Sequence, residues 1–301
     1  MNKNKHSISI IIIGYNTKGS LENLLLSLNN QKVPLNTLIE IVYVDDASTD
    51  GSFNFFNDFP LQFKKNSYKF LKNAGRSVAT NMGIKLSQYD WCFFVRSNEV
   101  VFENTLNIYI QYINKYTHID AFVGDIYYSC KDKIFEKYLN NLKRGIKKYI
   151  SGEVVHYKFL LLGNCLIHKK IFSNNKFNEG FKRYGGEELD FAYYAFYKNK
   201  KDILASPDAI VRRENHPSFS NHLIRMQTFG EYNFKYLCSN NQKNVIGIFY
   251  YLQTYSFLVN FWKLCLFISQ SLYKYDLNRC SFYIIRLGFL SAIMIGRLKS
   301  K

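Results

Sequence analysis

The first hundred residues alternate between short apolar runs and segments whose apolar residues recur at helical spacing. Residues 7–13 form a run rich in isoleucine, which is typical of a strand buried on both faces of a sheet. Ser20 precedes leucines at 21, 24, 25 and 28, which mark one face of a helix with Ser20 as its N-cap. The same alternation predicts further strands at 38–44, 68–71 and 91–95 and further helices at 52–59 and 76–86. Strands separated by helices predict an α/β fold with a mostly parallel central sheet flanked by helices.

The middle of the chain has a weaker pattern. It predicts helices at 104–116, 131–149 and 187–197, and strands at 121–128 and 160–168. The basic segment 131–149 suits a solvated helix face or a clamp for an anionic substrate, and the solvated face is the simpler interpretation.

The last third of the chain is basic and aromatic. The formal net charge is +17, and beyond Glu231 nine lysines and arginines face a single acid, Asp276. The apolar segments 245–262 and 281–296 are interrupted by polar residues, so neither is a clean membrane-spanning run. We expect a domain at 1–235 and a helical, membrane-associating tail at 236–301, whose two amphipathic helices lie at an anionic membrane surface. The alternative is that these helices pack on the main domain.

Cysteine spacing and the first apolar run favour a cytoplasmic protein. The six cysteines form no CxxC pair, so we expect neither a disulfide framework nor a zinc site. The apolar run at 8–13 is too short for a signal peptide and is followed by Gly-Tyr-Asn, so it is expected to be a first strand.

Two polar motifs follow predicted strands. Asp45 and Asp46 open the block Asp-Asp-Ala-Ser-Thr-Asp-Gly-Ser, where a parallel strand ends and α/β sheets bind ligands. Their carboxylates suit a ribose or a base N–H; the alternative is a polar turn in which Asp50 or Ser48 caps the next helix. In the second motif, 73–83, Gly75 permits close approach at a helix start and Arg76 adds donors for a phosphate. The absence of GxGxxG and GxxxxGK[ST] motifs disfavours dinucleotide dehydrogenases and P-loop enzymes.

These blocks, together with the opening Ile-Ile-Ile-Ile-Gly-Tyr-Asn at 10–16, resemble the family 2 glycosyltransferases in order and spacing, from about Ser7 to about His216. The resemblance implies the GT-A nucleotide-diphospho-sugar transferase fold and a nucleotide-sugar donor. It places Asp45 and Asp46 at the nucleoside and the stretch 73–81 beside the donor. The donor residues it implies are Tyr15, Asn16, Asp45, Asp46, Asn73, Gly75, Arg76, Asn81, Arg96, Ser97 and Asn98.

The chain departs from the family where Asp-x-Asp normally holds a divalent cation. Here the positions read Arg96-Ser97-Asn98, followed by Glu99. Three interpretations are open. Arg96 replaces the metal by binding the diphosphate, or Asn98, Glu99 and His216 hold Mg²⁺ or Mn²⁺ weakly. In the third, the site is inactive. We expect a working, metal-independent site, because the other motifs are intact.

The segment Gly-Gly-Glu-Glu at 185–188 resembles the family's catalytic turn. The resemblance makes Glu188 the general base of an inverting transfer, where the family usually has Asp, and gives Glu187 a role in holding the acceptor or orienting the base. Gly186 and Asn164 are expected to line the acceptor site. The simpler alternative is that both acids complement a helix dipole.

The sequence as a whole predicts a glycosyltransferase that acts on a lipid-linked cell-envelope glycan acceptor, peripheral at the inner face of the cell membrane. A catalytically silent GT-A protein that binds nucleotide sugar or scaffolds a glycan-assembly complex is the alternative. Nucleic-acid binding is not expected, because no recognition module accompanies the charge.

Overall fold

The computed structural model describes residues 6–253, 255–275 and 281–299. Its centre is an eight-stranded sheet in the order β3-β2-β1-β4-β7-β6-β8-β5. The strands are β1 (Ser7–Gly14), β2 (Leu38–Asp45), β3 (Lys64–Lys69), β4 (Trp91–Arg96), β5 (Glu99–Val101), β6 (Ala121–Cys130), β7 (Cys165–His168) and β8 (Leu204–His216). The strands β3, β2, β1 and β4 are parallel, and β7 joins β4 to β6 through antiparallel pairs.

The α-helices are α1 (Lys18–Asn29), α2 (Ser52–Asp58), α3 (Arg76–Leu86), α4 (Thr105–Lys115), α5 (Lys133–Leu139), α6 (Glu187–Ala192), α7 (Phe219–Thr228), α8 (Ser239–Ile246), α9 (Val259–Tyr273) and α10 (Ser281–Lys299). Successive residues of β1 serve opposite faces of the sheet. Ile10 and Ile12 pack in the core with the leucines of α1, while Ile11 packs with Ile84 of α3 on the other face. Burial on both faces explains the continuous apolar run of this strand, and the predicted α/β fold is confirmed.

Several predicted boundaries are wrong for identifiable reasons. Helix α1 starts at Lys18, with Thr17 as N-cap, and the Ser20 hydroxyl instead donates to the Thr17 carbonyl at 3.1 Å. Helix α2 begins after Gly51 (φ +83°), so neither Asp50 nor Ser48 is its N-cap. Strand β3 begins four residues and ends two residues earlier than predicted, because it is a half-exposed edge strand with polar residues. The predicted helix at 131–149 covers only α5 and continues as turns, and the predicted strand at 160–168 is reduced to β7.

The end of the chain packs on the rest of the protein. The predicted helix at 245–262 is replaced by 3₁₀ turns at Gly247–Leu252 and Ser256–Leu258, followed by α9. Helix α10 packs against α7 so closely that a Cβ at Gly296 would lie 2.1 Å from the Gln227 carbonyl oxygen. By length and composition α10 is able to span a membrane, yet 56% of its apolar window is buried within the protein. Helix α10 therefore packs on the main domain, which was the alternative to membrane contact for this segment.

Five cysteines, Cys92, Cys130, Cys165, Cys238 and Cys265, are free thiols in the structure. Cys280, Asp276, Arg279 and Lys301, which entered the sequence argument, lie outside the described residues.

Candidate active site

A cleft of about 600 Å³ opens at the carboxyl ends of β1, β2 and β4. The sheet register sets Gly14 beside Asp45 and Ile13 beside Arg96, so the ends of the three strands meet at one edge. This is where parallel sheets bind ligands, and the volume is that of an ordinary small-molecule site. The cleft includes these predicted donor residues: Tyr15, Asp46, Asn73, Gly75, Arg76, Arg96, Ser97 and Asn98.

Asp45 and Asp46 have different roles. The carboxylate of Asp45 is fully buried and accepts a hydrogen bond from the Ser48 backbone N–H at 2.7 Å, which closes the turn after β2. Asp46 lines the cleft, and its two oxygens accept from the backbone N–H groups of Ala74 (2.7 Å) and Gly75 (3.0 Å). Asp46 thus joins the two polar motifs, whereas Asp45 is held inside the turn and does not reach the cleft.

Tyr15 and Asn16 also have different roles: Tyr15 faces the cleft, and Asn16 holds the neighbouring turn. Asn16 adopts a left-handed conformation (φ +52°), and its side-chain oxygen accepts from the Thr49 N–H at 2.9 Å. Its own backbone N–H donates to the Ser48 hydroxyl. The Tyr15 ring lies in the cleft and is 53% exposed, so it is free to stack on a flat ligand group.

Two predicted site residues, Asn81 and Asn164, support the structure around the cleft and do not line it. Asn81 holds residue Phe177 through both of its amide atoms, at 2.9 and 3.0 Å, and so fixes the segment that leads to α6. Asn164 is fully buried, donates to the Asp125 and Ala209 carbonyls and accepts from the Tyr109 hydroxyl. All of its polar atoms are engaged in the core, so the structure does not bring it to the acceptor side of the cleft.

Two glycines form the turn that precedes the acidic pair Glu187 and Glu188. Gly185 (φ +88°) and Gly186 (φ +96°) form the turn before α6, a conformation that favours glycine. A Cβ on Gly186 would lie 2.8 Å from Phe181 and 2.9 Å from Phe229. A larger residue at Gly186 would therefore force these two rings to move. Glu187 and Glu188 follow the turn as the first residues of α6.

Each acid of the pair binds one arginine. Glu187 accepts from Arg76 Nη1 at 2.9 Å, and Glu188 accepts from Arg96 Nη2 at 2.6 Å. Glu188 lines the cleft, while Glu187 is almost completely buried behind it. Burial lowers the pKa of the Arg96 guanidinium, but the carboxylates of Glu188 and Glu99 reverse the effect and raise it. Arg96 is thus a permanent cation at the end of β4, in contact with the candidate base.

The position of the family's Asp-x-Asp does not fit a divalent cation. Glu99 is fully buried; Arg213 donates to one of its oxygens and the Arg96 backbone N–H donates to the other. The side-chain amide of Asn98 donates to the Glu214 carbonyl at 3.0 Å. Burial lowers the pKa of His216 to about 4, and its Nδ1 faces the Pro217 carbonyl. Among the residues that the structure describes, no three His, Cys, Asp or Glu side chains cluster as a metal site.

The Glu99–Arg213 pair is expected to be a main stabilising contact beneath the cleft. Gly163 allows it, because a Cβ there would lie 2.6 Å from the Glu99 carboxylate. Replacing Arg213 with alanine leaves a buried, unpaired carboxylate, so the free energy of unfolding should fall by about 3–5 kcal/mol. The matched control is Arg212→Ala, which breaks the more exposed pair with Glu214 and should cost at most about 1 kcal/mol. Chemical denaturation measures both, and equal losses would contradict this account.

Cations that the sequence motifs did not single out complete the cleft wall. Lys182, Arg183 and Arg225 line it together with Arg76, Arg96 and Arg213. They come from the turn before α6 and from α7, and only the fold brings them to the strand ends. Asp46 and Glu188 are the acids of this lining within the described part of the chain, so the cleft is electropositive and suits a diphosphate.

Comparisons with known proteins bear on the family and the fold of the chain. Residues 9–181 match the family model described as glycosyl transferase family 2. Glycosyltransferase GlyG of Streptococcus pneumoniae serotype 4 is 26% identical over 52% of this chain and 55% of its own length. The minor teichoic acid biosynthesis protein GgaA of Bacillus subtilis is 27% identical over 46% of this chain and 32% of its own length. These matches thus span about half and a third of the two relatives.

Among solved structures, S. aureus TarS 1-349 in complex with UDP-GlcNAc superposes with a TM-score of 0.58 at 14% identity. The superposition covers 96% of this chain and 90% of that one, which shows a shared fold. It confirms the GT-A fold expected from the sequence. The family match extends over more than half of the 301 residues, from β1 to Phe181, and ends before the glycine turn that leads into α6. The chain therefore belongs to glycosyl transferase family 2.

Proposed function

We propose that this glycosyltransferase moves a sugar from a nucleotide-sugar donor onto a lipid-linked cell-envelope glycan, with inversion at the anomeric carbon and Glu188 as general base. The observation that carries the proposal is the contact between Glu188 and Arg96 in the electropositive cleft. The relative named for teichoic acid biosynthesis and the fold neighbour bound to UDP-GlcNAc support an envelope glycan and a nucleotide-sugar donor.

The two residues suit the two ends of the reaction. Glu188 takes the proton of the acceptor hydroxyl, whose oxygen then bonds to the anomeric carbon. The bond from that carbon to the diphosphate breaks on the opposite face, through an oxocarbenium-like transition state. Arg96 binds the departing diphosphate and offsets its charge in place of a metal ion. Glu187, which is buried and held by Arg76, orients the base from the same turn, and Gly186 borders the acceptor side.

Donor binding is the direct test of this function. We expect one class of nucleoside diphosphate and its sugar derivatives to raise the melting temperature, because a ligand of the folded state stabilises it by mass action. The stabilisation should be the same in EDTA and in Mn²⁺, since Arg96 stands where a metal ligand is usual. The corresponding nucleoside is the control, because it lacks the diphosphate. No stabilisation by any nucleotide would exclude the transferase proposal.

A catalytically silent protein that binds nucleotide sugar remains the second candidate. Arg96 and Arg76 engage one oxygen of each acid, so neither carboxylate is wholly free in this structure. Donor stabilisation without transfer or donor hydrolysis would favour this candidate.

The exposed face of α9 supports a peripheral position at the inner face of the cell membrane. Phe261, Leu264, Phe267, Ile268 and Leu272 are all exposed on this helix. Lys263 lies among them, as suits a helix that enters the headgroup boundary of an anionic membrane. We accordingly propose residues 1–235 as the transferase domain and residues 236–301 as its tail, in which α9 faces the membrane while α10 packs on the domain.

Point substitutions test the membrane face without disturbing α10. Truncating the tail would expose the core that α10 shares with α7, so the double variant Phe261→Ser, Phe267→Ser is preferable. It removes two aromatic anchors, and we expect binding to anionic liposomes to fall at least about tenfold. Phe102→Ser, an exposed phenylalanine before α4, is the control. Unchanged liposome binding of the double variant would show that α9 is not the contact.

A further inference from the structure

A second cleft, of about 950 Å³, lies between the segment that follows α5 and the packed tail. It is bounded by the end of α5, the turns after it, the stretch after α8 and one side of α10. The volume is at the upper end of ordinary ligand sites. No part of the proposed transfer reaction uses it.

The wall of this second cleft is divided into an apolar part and a cationic rim. The apolar part includes Leu161, Leu189, Phe249, Phe289 and Leu290. The rim carries six cations: Lys143, Arg144, Lys147, Lys148, Lys158 and Arg286. One carboxylate, that of Asp125, lies in the described lining, and it is bound by Lys147. The other five cations form no ion pair within the described residues, so the rim has an excess of positive charge.

Arg144 has an unused donor. Its guanidinium lies 4.2 Å from the centre of the Tyr138 ring. Its Nη1 is buried and has no hydrogen-bond partner among the described residues. A buried donor without a partner is costly, whereas a phosphate oxygen would satisfy it with a charge-assisted bond. Arg144 is therefore prepared for an anion.

The second cleft adjoins the active-site cleft through neighbouring residues. Leu162, Glu188 and Arg225 line the active site, while their sequence neighbours Leu161, Leu189 and Met226 line the second cleft. A chain of ring contacts also links Arg144 to His216 of the active site. Arg144 lies over the Tyr138 ring, Tyr138 stacks on Phe135 at 5.9 Å, and Phe135 packs against His216 at 5.6 Å. The candidate base Glu188 thus lies next in sequence to Leu189, which lines the second cleft.

We infer that the second cleft binds the lipid phosphate of the acceptor, an alkyl or polyisoprenyl chain that carries a phosphate or diphosphate. The chain lies on the apolar wall, and the phosphate lies at Arg144 and the basic rim. The sugar to be extended would then project from the phosphate toward Glu188. This inference rests on the proposed function for the role of the lipid, but lipid binding itself is measurable without any transfer.

The test uses the 301-residue chain and a series of alkyl phosphates below their micelle concentrations. We expect decyl and dodecyl phosphate to bind, with affinity rising by up to about fourfold for each added methylene that is buried. Arg144→Ala should weaken binding at least about tenfold, the usual scale for a hydrogen bond to a charged group. Lys137→Ala, an exposed lysine of α5 outside the cleft, is the matched control and should bind normally.

Four results would overturn the inference. Inorganic phosphate that binds as tightly as dodecyl phosphate would indicate an anion site without a lipid component. Dodecanol that binds as tightly would indicate an apolar site that ignores the phosphate. Equal affinity in wild type and Arg144→Ala would place the lipid elsewhere, and loss of binding in the α9 variant alone would assign it to that face. Nucleotide-sugar stabilisation, measured on the same samples, reports separately on the proposed transferase.

Discussion

Replacing Glu188 with glutamine is expected to lower kcat at least about a hundredfold, the usual scale for losing a positioned general base. Glutamine keeps the shape of the side chain and a carbonyl oxygen that accepts from Arg96, but it cannot take a proton from the acceptor hydroxyl. The donor should bind as before, because the diphosphate is held by cations of the cleft wall. Single-turnover transfer and donor thermal shifts together separate chemistry from binding.

Glu188→Asp is the informative control for this variant. Aspartate is usual at this position in the family, and it keeps the carboxylate while withdrawing it by about 1 Å. Because catalysis is sensitive to displacement on that scale, we expect Glu188→Asp to retain more activity than Glu188→Gln and less than the wild type. A glutamine variant with near-normal kcat would remove Glu188 from the role of base.

The sequence predicts the parallel half of the fold well, for a physical reason. Strands β1, β2 and β4 are buried on both faces, so each appears as an uninterrupted apolar run, and helix α3 matches its predicted bounds. The mixed half carries no such signal. Strand β8 alternates buried and part-exposed residues over thirteen positions that include Arg212, Arg213 and Glu214, and β5 has only three residues. Neither was predicted.

The sequence named many of the residues that line the candidate cleft, but not their contacts. Glu188 pairs with Arg96 across 92 residues and Glu187 with Arg76 across 111, so both pairs depend on how β4 and α3 face α6. Glu99 was considered a metal ligand because it directly follows the Asp-x-Asp position. Its partner in the structure, Arg213, lies 114 residues away in the sequence. Local spacing contains no information about such pairs. Asn164 illustrates the same limit, since a buried amide that supports the core and one that lines a pocket look alike in sequence.

Arg96 is the residue whose replacement should show most directly how this chain works without the family's Asp-x-Asp. We expect Arg96→Ala to abolish detectable turnover, a loss of at least about a hundred- to a thousandfold, because the developing charge on the diphosphate loses its cation. Arg96→Lys should retain part of the activity, since an ammonium keeps the charge but not the forked pair of donors. Arg212→Ala, with its exposed side chain, is the matched control and should leave kcat unchanged.

Chelation completes this test, because the arginine and a metal ion are alternative means of neutralising the leaving group. Wild-type turnover should be the same in excess EDTA as in Mg²⁺ or Mn²⁺, and Arg96→Ala should not be rescued by either ion. The reason is structural: Arg213 and a backbone N–H occupy the carboxylate of Glu99, and Asn98 is bound to a carbonyl, so removing the guanidinium does not create a set of metal ligands. Loss of wild-type activity in EDTA that Mg²⁺ or Mn²⁺ restores would show that a metal, and not Arg96, holds the diphosphate.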